Sequence, residues 1–342
     1  MGDNTGIEWT DATWNPTSGC SKVSQGCKNC YAERVFSRPY PGRRFTDVQV
    51  HAERLAQPIR WKRPRRIFVN SMSDLFHELI PFDFIDRVFA AIALSPQHTF
   101  QILTKRPQRM LDYMTADDGF GRWGYVDGCA RQLYAEVYRT PFPRGLALIQ
   151  PPRNVHLGVS VEDQDTADER IPLLRRTPAA VRFLSAEPLL GAITLIQHLG
   201  VSVSDGTRWE GGLPAIDWII AGGESGPRAR PAHPEWIRSL RDQCVAAAVP
   251  FHFKQWGEWW PISQMPDGVS DMYFDPKYGS GKRDECDTRP APRPVRTTVL
   301  QLDGTQEFAF PAGAMTCFCV GKKAAGRALD GAIWNQFPGV AP

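Results

Sequence analysis

The chain has 342 residues, 42% of them hydrophobic and 23% charged, with a formal net charge of only +3. That balance excludes a disordered chain and a global polycation, so any nucleic-acid contact must come from a local patch. The opening segment lacks the basic and apolar regions of a signal peptide, and no apolar run approaches the roughly 18 residues of a membrane span. A cytoplasmic protein with no membrane partner is expected. There, eight cysteines point to metal or redox use rather than to a disulfide framework.

In chain order, the first 35 residues are polar, rich in Gly, Asn and Trp, and carry three of the cysteines. A basic run, Arg60 to Arg66 with Trp61 inside it, leads into a short strand over 67–70. Residues 82–94 place Phe84, Ile85, Val88, Phe89 and Ile92 on one helical face. A strand over 98–103 and a helix over 107–114 follow. Residues 115–152 break the rhythm and read as an insertion with an aromatic helix near 131–138. The alternation resumes with a strand at 155–161, a helix at 165–176 and strands at 181–184 and 218–221. A helix at 234–248, opened by Pro-Glu, and a strand at 251–254 complete the run. Past Gly257 the chain is irregular; Val295–Leu302 and Glu307–Phe310 suit a hairpin around Asp303-Gly304.

Alternating strands and helices over 60–260 argue for an α/β fold, a parallel sheet or an α/β barrel, and the expectation is a partial TIM-like (β/α) barrel. The expected organisation is a barrel domain over 1–260, with its insertion, and an irregular C-terminal extension over 261–342. Polar residues gather where strands should end: Asn70 to Asp74, Thr104 to Arg106, Ser160 to Asp163, Ser185 to Glu187, Gly222 to Ser225, and Lys254 to Trp256. Ligand sites of such folds lie at the carboxyl ends of the strands.

Cys20, Cys27 and Cys30 are spaced C-x6-C-x2-C, with Gly19 and Gly26 allowing a tight wrap. Thiolates favour iron–sulfur clusters or zinc. A structural zinc site needs four protein ligands, and no fourth Cys or His lies nearby; Cys317 and Cys319 reach it only through the fold. A cubane held by three cysteines keeps one iron open. Cluster, zinc and unligated thiols all remain consistent with the spacing alone.

Gly6 to Pro16, the Cys20/Cys27/Cys30-Tyr31-Ala32 run and the ending Gly321 to Arg327 resemble the phage Gp37/Gp68 (DUF5131) family over nearly the whole chain. The chain more distantly resembles radical S-adenosylmethionine (SAM) enzymes of the spore photoproduct lyase type. That resemblance implies a [4Fe–4S] cluster on Cys20, Cys27 and Cys30, SAM at its open iron and a 5′-deoxyadenosyl radical. It carries Tyr31 over as the residue after the third cluster cysteine, Ser71 and Asp74 as SAM contacts, and Lys105 as a partner for the SAM carboxylate. The chain departs from that pattern in its longer first cysteine gap and in the late position of Gly222-Gly223-Glu224.

Other residues carry two readings each. Glu162 and Glu187 hold the cofactor ribose or cap helices. Glu224, Arg228 and Arg230 suit a phosphate-bearing substrate or form a polar loop. Lys254, at the end of the last strand, contacts the substrate or is a solvated lysine. Trp256, beside Trp259 and Trp260, stacks on a base or packs in the core. The 60–66 run meets a nucleic-acid backbone or is a solvated edge. Cys317 and Cys319 are a second metal site or simple thiols, and Cys129, Cys244 and Cys286 are structural. The expectation is a radical SAM enzyme acting on a nucleic-acid-related substrate, in DNA lesion repair or base modification. Its partners are DNA or RNA and an electron donor such as flavodoxin or ferredoxin. The rivals are a zinc-binding nucleic-acid module without activity and a radical SAM enzyme of peptides or small metabolites.

Overall fold

A computed structural model describes residues 5–116, 121–143, 150–199, 215–273 and 295–339; the expectation for Cys286 lies outside them. Seven strands form one parallel sheet: β1 (Ala12–Trp14), β4 (Arg66–Val69), β5 (Thr99–Thr104), β6 (Val155–Ser160), β7 (Val181–Ala186), β8 (Trp218–Gly222) and β9 (Phe251–Gln255). They lie side by side in chain order and every adjacent pair is parallel. An order that never reverses has no switch point, so it curls as part of a barrel instead of opening as a doubly wound sheet. The partial TIM-like barrel expected from the alternation is therefore the fold.

The two faces of the sheet are packed differently. Outward-facing Ile67, Val69, Phe100, Ile102, Leu157, Val159, Ile219 and Phe251 belong to the main core, beneath α2 (Phe82–Ala93), α5 (Gln164–Arg176) and α6 (Pro234–Ala246). All five apolar residues assigned to one face of α2 are buried. α5 starts on a capping box, in which the Asp163 side chain accepts from the Thr166 N–H. α3 (Pro107–Thr115) follows β5 directly. The inner face carries a separate cluster of Trp9, Phe183, Trp218 and Ile220, joined by Phe68, Leu103 and Phe337. The Trp9 ring lies 4.7 Å from Phe68 and 6.2 Å from Trp218. Gly158 makes room for this plug, because a Cβ there would sit 2.5 Å from the Phe183 ring. Aromatic residues thus fill the floor of the half-barrel and leave its carboxyl end polar.

Between β1 and β4 the chain forms α1 (Tyr31–Val35) and a small antiparallel ladder, β2 (Thr17–Ser18) with β3 (Gln49–Val50). The insertion contributes α4 (Arg122–Tyr138), which buries Val126, Ala130 and Leu133 and packs on α2. After β9, β10 (Trp259–Pro261), β11 (Thr297–Leu300) and β12 (Met315–Cys319) make a second, antiparallel sheet ordered β10-β12-β11, and α7 (Lys322–Ala325) follows. The chain then returns along the open edge of β9, where Phe253 N–H donates to Trp334 O and Gln336 N–H to Phe251 O. No helix among the described residues is long and apolar enough to cross a membrane.

Two expectations change. The first strand of the sheet is β1, which the polar opening concealed: three residues are too few for alternation to register. The main partner of β11 is β12; the hairpin around Asp303-Gly304 is present but short, with Gln301 N–H donating to Thr305 O at 2.8 Å, Glu307 N–H to Val299 O at 3.1 Å and an antiparallel bridge between Leu300 and Gln306. The basic run lies at the amino end of β4, opposite the polar strand ends. There Arg66 pairs with Asp11 at 2.8 Å and Arg65 covers the Trp61 ring at 5.2 Å.

Candidate functional site

The loop after β1 bends back over the carboxyl ends of β4, β5 and β6. Its entry is anchored by Cys20 N–H donating to Phe45 O at 2.8 Å. Gly19 has φ of +85°, and a Cβ there would press on Phe45 O and Asp47 O. At Gly26 the loop runs directly over Glu162; a Cβ would lie 2.4 Å from Glu162 Oε1. Cys27 ends a single 3-10 turn and Cys30 caps α1.

This path brings all three cysteines to one pocket. It is also lined by Tyr31, Ser71, Asp74, Thr104, Lys105, Arg106 and Ser160, with apolar walls from Phe45, Phe68 and Leu103. The cavity measures about 240 Å³. Residues as far apart in sequence as Cys20 and Ser160 therefore meet at one barrel mouth. Of the expected cofactor contacts, Tyr31, Ser71, Asp74 and Lys105 line the pocket.

Each of those side chains has protein partners. Ser71 Oγ donates to Asn15 Oδ1 at 3.2 Å. The Asp74 carboxylate, 6% exposed, accepts from Thr104 Oγ1 at 2.8 Å, Phe76 N–H at 3.0 Å, Lys105 N–H at 3.2 Å and Arg106 Nη1 at 3.2 Å. Asp74 therefore braces the pocket wall. Lys105 Nζ donates to Glu162, which is fully buried and also accepts from Arg170 Nη1 at 3.2 Å. Arg170 Nε also faces Glu169 at 3.9 Å, so the two cations stand against two carboxylates.

Burial pushes the Cys20 thiol up to about 12, with repulsion from Asp74 adding to it and Arg106 opposing it. Burial also raises Cys30. Cys20 is thus a neutral thiol near pH 7. Among the described residues, no group of three His, Cys, Asp or Glu is close enough to hold a single metal ion. A cubane makes a different demand, since each thiolate takes a separate corner. Three cysteines converging on one cavity fit that demand, and Cys317 and Cys319, on β12, do not line the pocket.

The remaining expected residues form two clusters beside the pocket. Glu224 is held by Arg230 through Nε at 2.9 Å and Nη2 at 2.7 Å, and by Asn29 Nδ2 at 3.0 Å. Arg230 Nη2 also donates to Gln25 O, and Asn29 to Arg228 O. This group ties the cysteine loop to the end of β8. The pairing holds Glu224 below the usual carboxylate range, although burial pushes the other way. Lys254 pairs with Glu187 Oε1 at 2.9 Å, and Ser185 Oγ donates to Glu187 Oε2.

Trp256 is a correction. It is 1% exposed, its indole N–H donates to Ala328 O at 2.8 Å, and its ring packs on Phe253. A ring enclosed on both faces offers no platform for a base. Arg106, Arg170, Asn29 and Asn15 were not singled out from sequence. Arg106 stood in a polar strand end, a fair signal of location, but nothing in the sequence joins it to Cys20.

The family described as protein of unknown function DUF5131 matches residues 4–338. No curated protein matches the chain. Among solved structures, a mutant of spore photoproduct lyase superposes with a TM-score of 0.41 and 10% identity, covering 70% of this chain and 74% of that one.

Proposed function

We propose that this chain, which belongs to the DUF5131 family, is a radical SAM enzyme acting on a nucleic-acid-related substrate. The observation that carries the reading is the convergence of Cys20, Cys27 and Cys30 with Ser71 and Lys105 on one pocket at the carboxyl end of a parallel half-barrel. When bound, a [4Fe–4S] cluster supplies the electron for reductive cleavage of a carbon–sulfur bond of SAM, yielding the 5′-deoxyadenosyl radical.

The residues divide the remaining work. Lys105 presents a cation to the SAM carboxylate while Glu162 and Arg170 fix its position. Phe45, Phe68 and Leu103 exclude water from the reacting side. Ser71, braced by Asn15, offers a hydroxyl. The polar group of Ser185, Glu187 and Lys254 lies at the neighbouring strand ends, where a substrate enters.

A charge asymmetry supports a polyanionic substrate. Residues 20–47 carry Lys22, Lys28, Arg34, Arg38, Arg43 and Arg44 against Glu33 and Asp47, a net +4 in a chain of net +3, with Lys22 paired to Glu33 and Arg44 to Asp47. Lys22, Lys28, Arg34, Arg38 and Arg44 are exposed. The cysteine loop therefore presents positive charge around the mouth, as a phosphate backbone requires.

Anaerobic purification tests the cluster: a brown protein with about four irons and four sulfides per chain is expected, and colourless protein with one zinc overturns it. Production of 5′-deoxyadenosine from SAM under a reductant tests the chemistry. Stimulation of that yield by DNA or RNA tests the substrate class. Stimulation by peptides or metabolites alone moves the substrate out of nucleic acids.

A further inference from the structure

Arg106 is used by three separate segments at once. It follows Lys105 at the end of β5, caps α3, and is 7% exposed. Its Nε donates to Glu78 Oε1 at 2.9 Å. Its Nη1 donates to Asp74 Oδ2 at 3.2 Å and faces Cys20 Sγ at 3.6 Å. Its Nη2 donates to Ser21 Oγ at 2.8 Å and Ser21 O at 3.2 Å. Ser21 Oγ in turn meets His77 Nε2 at 2.9 Å. Every guanidinium nitrogen is engaged, and the planar fork spans the cysteine loop and the loop after β4 together.

We infer that Arg106 is the positioning residue of the metal centre: it clamps Cys20 in place and raises the reduction potential of the cluster it carries. This inference rests on the cluster reading. A cation that also donates a hydrogen bond to a ligating sulfur stabilises the more negative, reduced state. The neighbourhood makes the effect matter. The Asp74 carboxylate and Cys20 Sγ share one donor, Arg106 Nη1, at 3.2 and 3.6 Å, so an acidic group stands beside the sulfur and Arg106 is the cation between them. Without Arg106, the sulfur keeps its acidic neighbour and loses its donor. Lysine cannot replace it, because one ammonium cannot reach Cys20, Ser21, Asp74 and Glu78 together.

The test compares wild-type protein with Arg106→Gln and Arg106→Lys after anaerobic reconstitution. Iron content, the electron paramagnetic resonance of the reduced cluster and its midpoint potential are measured without SAM or substrate. Arg106→Gln is expected to lose iron to a chelator several-fold faster than wild type, and its retained cluster to show a tenfold weaker one-electron reduction, a midpoint lower by about 59 mV. Arg106→Lys is expected to fall between it and the wild type. If Arg106→Gln does not fold, Ser21→Ala removes one anchor of the guanidinium and is expected to lower the potential in the same direction. Full iron with an unmoved potential overturns this inference alone. Wild-type protein that takes up no iron overturns the cluster reading, and this inference with it.

Discussion

Glu162 is fully buried between Lys105 and Arg170, directly beneath Gly26. Removing one partner of a buried ion group leaves the other charges uncompensated. Glu162→Ala is therefore expected to lower stability by about 3–5 kcal/mol, read as the free energy of urea unfolding. Gly26→Ala drives a Cβ onto the same carboxylate. It is expected to cost about 1–3 kcal/mol and to reduce iron uptake, measured by metal content after reconstitution. Equal stability and iron in wild type and Gly26→Ala contradict the packing described.

His252 lies on the inner face, 1% exposed, with neither ring nitrogen hydrogen-bonded within the protein. Burial lowers it from its usual 6.5 to about 4, helped by Arg327, Lys254 and Arg66. The unfolded chain then binds a proton in a range where the folded protein does not. The His252 share of the stability is fully present above about pH 6.5 and is lost as the pH drops toward about 4, by on the order of 3 kcal/mol at most, beside a like share from the buried His156. His252→Phe is expected to flatten that limb of the pH–stability curve, measured by denaturant unfolding from pH 7 to 4. An unchanged slope rules the histidine out as its source.

At the scale of elements, the cysteine loop is pinned from two sides: Arg106 and Glu162 beneath it, and the Glu224, Arg230 and Asn29 group beside it. Arg230→Ala leaves Glu224 buried without its bidentate cation and releases Gln25 O, so that Asn29 alone of the side chains still ties the loop to Glu224. Several-fold faster loss of iron to a chelator is expected, with Arg230→Lys restoring little because the fork geometry is lost. Unchanged iron release shows that the 224–230 loop does not restrain the cysteines. The elements themselves were largely legible. β4 to β9 and α2, α3, α5 and α6 follow from apolar periodicity, because each buries a continuous face. α4 extends further toward its amino end than the aromatic stretch indicated, to Arg122, where Arg122 pairs with the buried Asp86 at 3.1 Å.

For the whole molecule, the returning C-terminal segment completes the sheet. Residues 334–336 cover the edge of β9, and Gln336 O accepts from the Trp218 indole N–H at 2.9 Å. A chain ending at Gly326 exposes that edge and uncovers Trp218. Such a truncation is expected to aggregate or dimerise, as read by light scattering. A monodisperse, fully folded truncation shows that the edge needs no cover.

What the sequence determined by itself is the local chemistry: alternating strands and helices, polar strand ends, and three thiols at a spacing suited to one soft metal centre. Periodicity and residue type are local properties, so they can be read without coordinates. Only the tertiary structure decided which of those residues share a site. It placed Ser71 and Lys105 with the cysteines, turned Asp74 and Arg230 into braces, buried Trp256, and set the basic run at the far end of the sheet. It also joined Arg106 to Cys20 across 86 positions. Such pairings arise from how parallel strands stack their ends, and no spacing along the chain encodes them.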